Sequence, residues 1–319
     1  MVLLVAILLL VLGFALLIKG ADVFVSSSVG IAKRLKVPPV IIGLTIVAMG
    51  TSAPEIVISV TASLRGANAL AISNVVGSNS FNLMFIIGLC ALIRPMPVKL
   101  QEISKDFWVS IIAAALLLGL KLLGGEHIPR LGGAIMLAAF AVYMVALVRK
   151  ALKARDELGA SRERADKPGA KQRPMALIVF LAVLGCAMIV AGGQLTVDNA
   201  TQIALNLGIT ERVIGLTVVA IGTSLPELIT CLVACKRGES EFAIGSIVGS
   251  NIFNIMFVLG VAGLIAPLEI DRALVLDTSF LIVGSLVALR FVYSGKFLAF
   301  KEGLVMLLMY MGYMVFVLI

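Results

Sequence analysis

The chain has 319 residues, 61% of them hydrophobic and 14% charged, and its mean hydropathy is +1.12. Soluble globular proteins are about 45–50% apolar and about 25% charged, so this composition excludes a soluble domain and places the chain in a lipid bilayer. The net charge of +8 does not point to nucleic acid, because the basic residues are scattered among the segments that join apolar stretches.

A helix that spans the hydrocarbon needs about 20 apolar residues. Ten stretches qualify, at 1–30, 37–63, 69–93, 107–124, 129–149, 175–205, 211–235, 242–266, 273–292 and 298–318. They are continuous rather than alternating at period two, which argues against a β-barrel and predicts an all-α membrane protein with ten transmembrane helices. The first stretch has no basic n-region, a long apolar run from Val2 to Ile18 and no A-x-A-like site after it, so we expect an uncleaved helix.

The second stretch carries one ionisable residue, Glu55, in the segment GTSAPE. A charge at mid-membrane costs on the order of 2.5–3.5 kcal/mol, so an acid there is a functional candidate. Pro54 lacks a backbone donor and Gly50 tolerates unusual angles, so the helix is expected to kink or unwind around Thr51 and Ser52 and free carbonyl oxygens. The third stretch contains GSNSFN, which places Ser78 and Asn82 on one helix face, with Asn79 close to it and Gly77 available for close helix approach. The single histidine, His127, falls in the loop GGEHIPR and reads as a surface residue, since one histidine cannot build a multi-His metal site.

Residues 150–174 are too polar to enter lipid and form a linker between a first five-helix repeat, 1–149, and a second, 175–319. The two repeats share sequence. IGLTIVAMGTSAPE at 42–55 returns as IGLTVVAIGTSLPE at 214–227, and NVVGSNSFNLMF at 74–85 returns as SIVGSNIFNIMF at 246–257. Both blocks share an offset of 172, and 25 of 47 aligned positions are identical across 42–88 and 214–260. Five helices per copy is an odd number, so the second copy enters the membrane from the opposite side, an architecture of secondary transporters. The second copy supplies Glu227, Thr223, Ser224, Ser250, Asn251 and Asn254. Asp22 and Asp198 do not align at this offset, and a mouth or interfacial position is expected for them. Cys90, Cys186, Cys231 and Cys235 fall in apolar spans, without zinc or redox spacing, and read as small buried hydrophobes.

Loops alternate sides, and sorting the basic residues by side gives 20 against 5, with Lys19 inside a span. The larger set includes nine residues of the linker, so the positive-inside rule puts the linker in the cytoplasm and both termini outside. The expected location is the plasma (inner) membrane, with the lipid bilayer as surroundings and the chain as a monomer.

The polar set is all oxygen: two carboxylates, the Thr and Ser groups of both GTS segments, two further serines and several amides. Hard cations such as Ca²⁺ and Na⁺ fit such donors, while Zn²⁺ and Cu⁺ do not, and Mg²⁺ gives up its water reluctantly. Small polar residues also pack spans together, which accounts for some of the serines and asparagines. It does not account for an acid at the same place in both copies.

At GTSxPE, followed 27 residues on by the Asn of GSNxFN, the chain resembles the cation/Ca²⁺ antiporter superfamily, in its prokaryotic-type Na⁺/Ca²⁺ exchanger branch. The resemblance covers essentially the whole chain. It implies antiport of Ca²⁺ against Na⁺ by alternating access, with a central Ca²⁺ site at Glu55 and Glu227 and carbonyls from Thr51 and Thr223. It implies Na⁺ sites around it at Ser52, Ser78, Ser224 and Ser250, with Asn82 and Asn254 near the middle. The long first spans of each half would be gating helices, and no cofactor is needed beyond the transported ions. Some members carry Asp where Asn254 stands, which leaves K⁺ co-transport open. A H⁺/Ca²⁺ antiporter is the first alternative, although that branch usually carries an acid in the second block. A Na⁺-coupled transporter of a small organic solute would need aromatic or basic groups at mid-membrane. A channel would be an unusual use of a closed two-fold site, and an intramembrane enzyme would need a nucleophile–base pair or metal triad.

Overall fold

The computed structural model describes residues 2–125, 127–162, 174–208, 220–269, 272–294 and 297–318. The first half contains α1 (Val2–Leu35), α2 (Pro39–Thr51), α3 (Ala53–Leu64), α4 (Asn68–Ile93), α5 (Leu100–Gly124) and α6 (Arg130–Arg162). The second contains α7 (Met175–Asn206), α8 (Ala220–Thr223), α9 (Leu225–Lys236), α10 (Ser240–Ile265), α11 (Arg272–Ser294) and α12 (Phe300–Leu318). Within lipid every backbone polar group must be satisfied inside its own segment, which is why these apolar runs are helices. Among the described residues eight helices are long and apolar enough to cross a membrane, and α2 with α3 forms a further span bent by 50°. The expected span at 211–235 is described from residue 220 onward, as α8 and α9; Arg212 and linker residues 163–173 lie outside the described residues.

The bend in the second span falls where proline and glycine place it. Pro54 enters the second position of α3 and cannot donate to the Gly50 carbonyl, which instead lies 3.7 Å from the Cys186 thiol. Ser52 is the turn residue, at φ −81° and ψ 13°, and its repeat partner Ser224 takes nearly the same angles, −91° and 7°. The chain therefore kinks at one residue in each copy rather than unwinding over several.

The two halves interlock. Gly13 and Gly20 of α1 align with Gly185 and Gly192 of α7, and the contacts cross: a Cβ on Gly13 would sit 3.0 Å from the Gly192 carbonyl, and one on Gly20 would sit 2.9 Å from that of Gly185. This register makes α1 and α7 antiparallel, so the equivalent first helices run in opposite directions, as inverted copies must. Each is over 30 residues long, 34 and 32 respectively. At 1.5 Å per residue that is about 50 Å, well beyond about 30 Å of hydrocarbon, so both must tilt or protrude.

The same two-fold exchange recurs across the core. Gly88 of α4 packs on Gly303 of α12, and Gly260 of α10 on Gly133 of α6. Phe81 and Phe85 stack at 4.7 Å against Tyr310, while Phe253 and Phe257 stack at 4.7 Å against Phe140. The last helix of each half thus seats on the third span of the other. Those third spans form the centre: 72% of the most apolar window of α4 and 83% of that of α10 is buried, against 22% for α1 and α7.

Among the described residues four two-residue strands tie the loops. β1 (Met96–Pro97) pairs with β4 (Phe297–Leu298), and β2 (His127–Ile128) with β3 (Leu268–Glu269), both antiparallel. The first strip lies at the end of the molecule where α6 runs on toward the linker, marked by the ion pair Lys150–Asp106 at 3.0 Å between α6 and α5. The second lies at the opposite, far end. His127 is exposed there. The linker is partly helical: α6 continues past 149 to Arg162, because Lys, Ala, Leu, Arg and Glu in KALKARDELGASR are strong helix formers.

Candidate ion-binding site

Glu55 opens α3 and Glu227 opens α9, each in the first turn after the kink, and they are 0% and 2% exposed. Both acids are thus buried after the kinks of their helices, close enough to repel each other. Each is held from the other copy. The Ser52 hydroxyl donates to Glu227 Oε1 at 2.9 Å, and the Ser224 hydroxyl donates to Glu55 Oε1 at 3.3 Å. Ser78 stands beside Glu55 and Ser250 beside Glu227. Ser250 also donates to the Ala48 carbonyl at 3.4 Å.

The asparagines form a cross-repeat clasp. Asn79 donates to the Asn251 carbonyl at 2.9 Å, and Asn251 returns the bond to the Asn79 carbonyl at 3.1 Å. Asn254 donates to Asn79 Oδ1 at 3.1 Å and Asn82 to Asn251 Oδ1 at 3.5 Å. The clasp therefore uses the amide hydrogens of Asn82 and Asn254 and leaves their oxygens free of donors.

Among the buried side-chain oxygens of the described residues that have no hydrogen-bond partner, four belong to the expected site: Glu55 Oε2, Glu227 Oε2, Asn82 Oδ1 and Asn254 Oδ1. Leaving buried acceptors unpaired costs on the order of 1–3 kcal/mol each, more for a charged group, so a packing role alone does not explain them. Their chemistry suits a hard cation. Among the described residues no group of three or more His, Cys, Asp or Glu side chains gathers to hold a metal.

All ten expected site residues lie in buried positions on the kinked helices or the central pair α4 and α10. The Thr51 hydroxyl donates back to the Val47 carbonyl at 3.1 Å, which leaves its oxygen lone pairs, as well as the Thr51 carbonyl, as acceptors. Thr223 occupies the same place in α8. Gly249 allows the expected close approach, its Cβ position lying 2.7 Å from Leu44 Cα; Gly77 has no described neighbour within 4 Å, and its repeat-related partner position, Leu216, lies outside the described residues. Asp22 and Asp198 stand away from the two glutamates. Asp22 pairs with Arg237, and Asp198 accepts from Gln194 at 2.8 Å. Cys90 and Cys231 are fully buried with their sulfurs 3.5 Å apart, Cys235 is buried with its thiol 3.5 Å from the Cys90 carbonyl, and Cys186 is half-buried. Sequence reasoning placed Asn79 and Asn251 near the site but missed the clasp, although their identity at offset 172 was the available signal. It missed Thr230 entirely. This residue lies three positions beyond Glu227, with a buried hydroxyl lacking a partner, and its repeat counterpart is Ile58, so the repeat gave no signal.

A cavity of about 730 Å³ reaches this region from the far end, between α3 and α7. Pro54, Val57, Gly193, Gln194, Asp198 and Thr223 are among its lining residues. At the linker end the equivalent pair, α1 and α9, is packed together.

Kinked antiparallel helix pairs around a buried oxygen site, related by a two-fold axis, define a membrane transporter of inverted-repeat construction. The family model for sodium/calcium exchanger proteins matches residues 5–149 and 177–319, and the chain belongs to that family. It is 39% identical over 315 residues to a protein named CaxA of Alkalimonas amylolytica, covering 97% of this chain and 98% of that one. It is 33% identical to the sodium/calcium exchanger MaX1 of Methanosarcina acetivorans, covering 97% of each. A solved structure of the sodium-calcium exchanger NCX_Mj, soaked with zero Na⁺ and Ca²⁺, superposes with a TM-score of 0.83 at 30% identity over 97% of both chains.

Proposed function

We propose that the chain exchanges Ca²⁺ for Na⁺ across the membrane through one central site built from Glu55 and Glu227. The observation that carries this is that four of the unpartnered buried oxygens, two carboxylate and two amide, fall at repeat-equivalent positions, two from each copy. Two carboxylates give a formal charge of −2, matched by one Ca²⁺ or by two Na⁺. Ca²⁺ takes about six to eight oxygens, and the carbonyls of Thr51 and Thr223 would extend the set. Ser52, Ser78, Ser224 and Ser250 would serve Na⁺ beside it, with Asn82 and Asn254 between. The charge of the site is then the same whichever cargo fills it, so the two ions compete.

The pseudo-two-fold also supplies a route to alternating access. The operation that relates the halves exchanges the α1–α9 contact with the α7–α3 contact. A second arrangement of the same contacts is therefore available, with α7 seated on α3 and a cavity beside α1. The excess of basic residues makes the linker end cytoplasmic and both termini external, so the arrangement described faces outward. The units are the repeats 1–149 and 175–319, joined by the linker 150–174, and the exchanger works as a monomer in the plasma membrane. The test is flux. Proteoliposomes loaded with Na⁺ and diluted into Na⁺-free medium should take up Ca²⁺ without K⁺, and a pH gradient alone should drive little. Uptake driven by protons and indifferent to Na⁺ would make the chain a H⁺/Ca²⁺ antiporter instead.

A further inference from the structure

Asp22 lies two-thirds of the way along α1, and Arg237 caps the C-terminal end of α9. Arg237 Nε donates to Asp22 Oδ1 at 3.1 Å, and Nη2 of the same guanidinium also reaches that oxygen. Arg237 is itself seated in the linker-end loops: the Arg94 guanidinium donates to the neighbouring Lys236 carbonyl at 3.3 Å. The contact thus ties α1 to α9 at the end of the molecule where those helices are closed on each other.

The repeat makes this contact one-sided. At the offset of 172, Arg237 corresponds to Arg65, but Asp22 corresponds to Gln194. A glutamine cannot form an ion pair with Arg65 when α7 seats on α3. In the described arrangement Gln194 turns instead to Asp198 and lines the far-end cavity. The packing contacts have repeat-related counterparts for the other arrangement, whereas position 194, the counterpart of Asp22, carries no charge.

We propose that Asp22 and Arg237 are a positioning pair that biases the exchanger toward the state open at the far end. The pair touches no cargo and acts through the seating of α1 on α9. The proposal rests on the exchange function and orientation given above. Because the two residues are 51% and 37% exposed, the bias is modest, about two- to fivefold in the ratio of the two states, as for exposed ion pairs generally. Its removal should move the half-saturating Ca²⁺ concentration in opposite directions on the two faces, raising it outside and lowering it inside. A general packing defect would lower the maximum rate from both faces and leave half-saturation alone.

The test uses full-length protein in liposomes, cysteine-free except for Thr201→Cys in the cavity wall, probed with a membrane-impermeant thiol reagent. With Asp22 and Arg237 intact, the reporter should label from outside; failure there overturns the orientation and the bias with it. Arg237→Gln and Asp22→Asn should each slow labelling, by up to about two- to fivefold, and the double variant should slow it no further. The charge swap Asp22→Arg with Arg237→Asp should restore the rate. Unchanged labelling in the single variants, additive slowing in the double, or equal loss of maximum rate from both faces with constant half-saturation would each overturn the pair. Absence of Na⁺-driven Ca²⁺ uptake in the parent protein would fail the exchange function separately.

Discussion

Replacing Glu55 by Gln keeps the shape of the side chain and removes half of the charge at the site. The Ser224 hydroxyl that now donates to Glu55 Oε1 at 3.3 Å can rotate to accept from the new amide, so the local packing should survive. The cargo loses more. A site of formal charge −1 leaves a bound Ca²⁺ with one uncompensated positive charge in a place from which water is excluded. Breaking a buried charge pair costs about 3–5 kcal/mol, which at about 1.4 kcal/mol per decade is a loss of roughly two to three and a half decades in affinity. Glu227→Gln should lose as much, because the repeat gives it the same surroundings: a serine donor from the other copy, a neighbouring serine on the central helix and one unpartnered oxygen. Calorimetric Ca²⁺ titration of the purified variants, alongside proteoliposome flux, measures both. A folded Glu55→Gln protein that binds Ca²⁺ within about threefold of the parent would refute the two-carboxylate site, since even a half-kcal/mol difference exceeds a factor of two. Loss in one variant and not the other would assign the ion to a single acid.

Three further outcomes are expected. Asn79→Ala removes a donor, an acceptor and half of the clasp, leaving the Asn254 amide and the Asn251 carbonyl without partners, so thermal unfolding in detergent should show a loss of about 1–3 kcal/mol; an unchanged melting temperature would mean the clasp does not hold the repeats together. Gly303→Ala would put a Cβ 2.6 Å from the Gly88 carbonyl and should destabilise by about 1–3 kcal/mol, whereas Gly312→Ala on the same helix meets nothing within 4 Å and should leave the melting temperature level or raise it; equal effects would contradict the α4–α12 packing. Cysteines at the repeat-equivalent positions Pro97 and Glu269, in a cysteine-free background, should label from the inside and the outside respectively, and labelling of both from one face would break the inverted orientation.

Much of this protein was legible before any coordinates. Hydropathy alone located most of the described spans to within a few residues, because lipid leaves a chain no other way to satisfy its backbone. The duplication at offset 172 then implied inverted copies from an odd number of helices, and the acids at Glu55 and Glu227 stood out because nothing else charged lies within 37–63 or 213–235. Proline and glycine marked the kinks for a local steric reason that needs no tertiary context. What the sequence could not decide depends on which surfaces meet. Ser52 is a turn residue by its local chemistry, but its hydroxyl serves Glu227, 175 residues away, and no pattern within one copy specifies a partner in the other. The asparagine clasp is of the same kind: identical residues at offset 172 can face each other or stand apart, and the two-fold packing of α4 on α10 determines which. The polar linker segment after 149 gave no apolar period to read, yet its helix-forming residues extend α6 to Arg162. Asp22 shows the limit most plainly. It breaks the repeat, so symmetry gave it no role, and its partner Arg237 became visible when the packing of α1 on α9 brought together residues 215 positions apart.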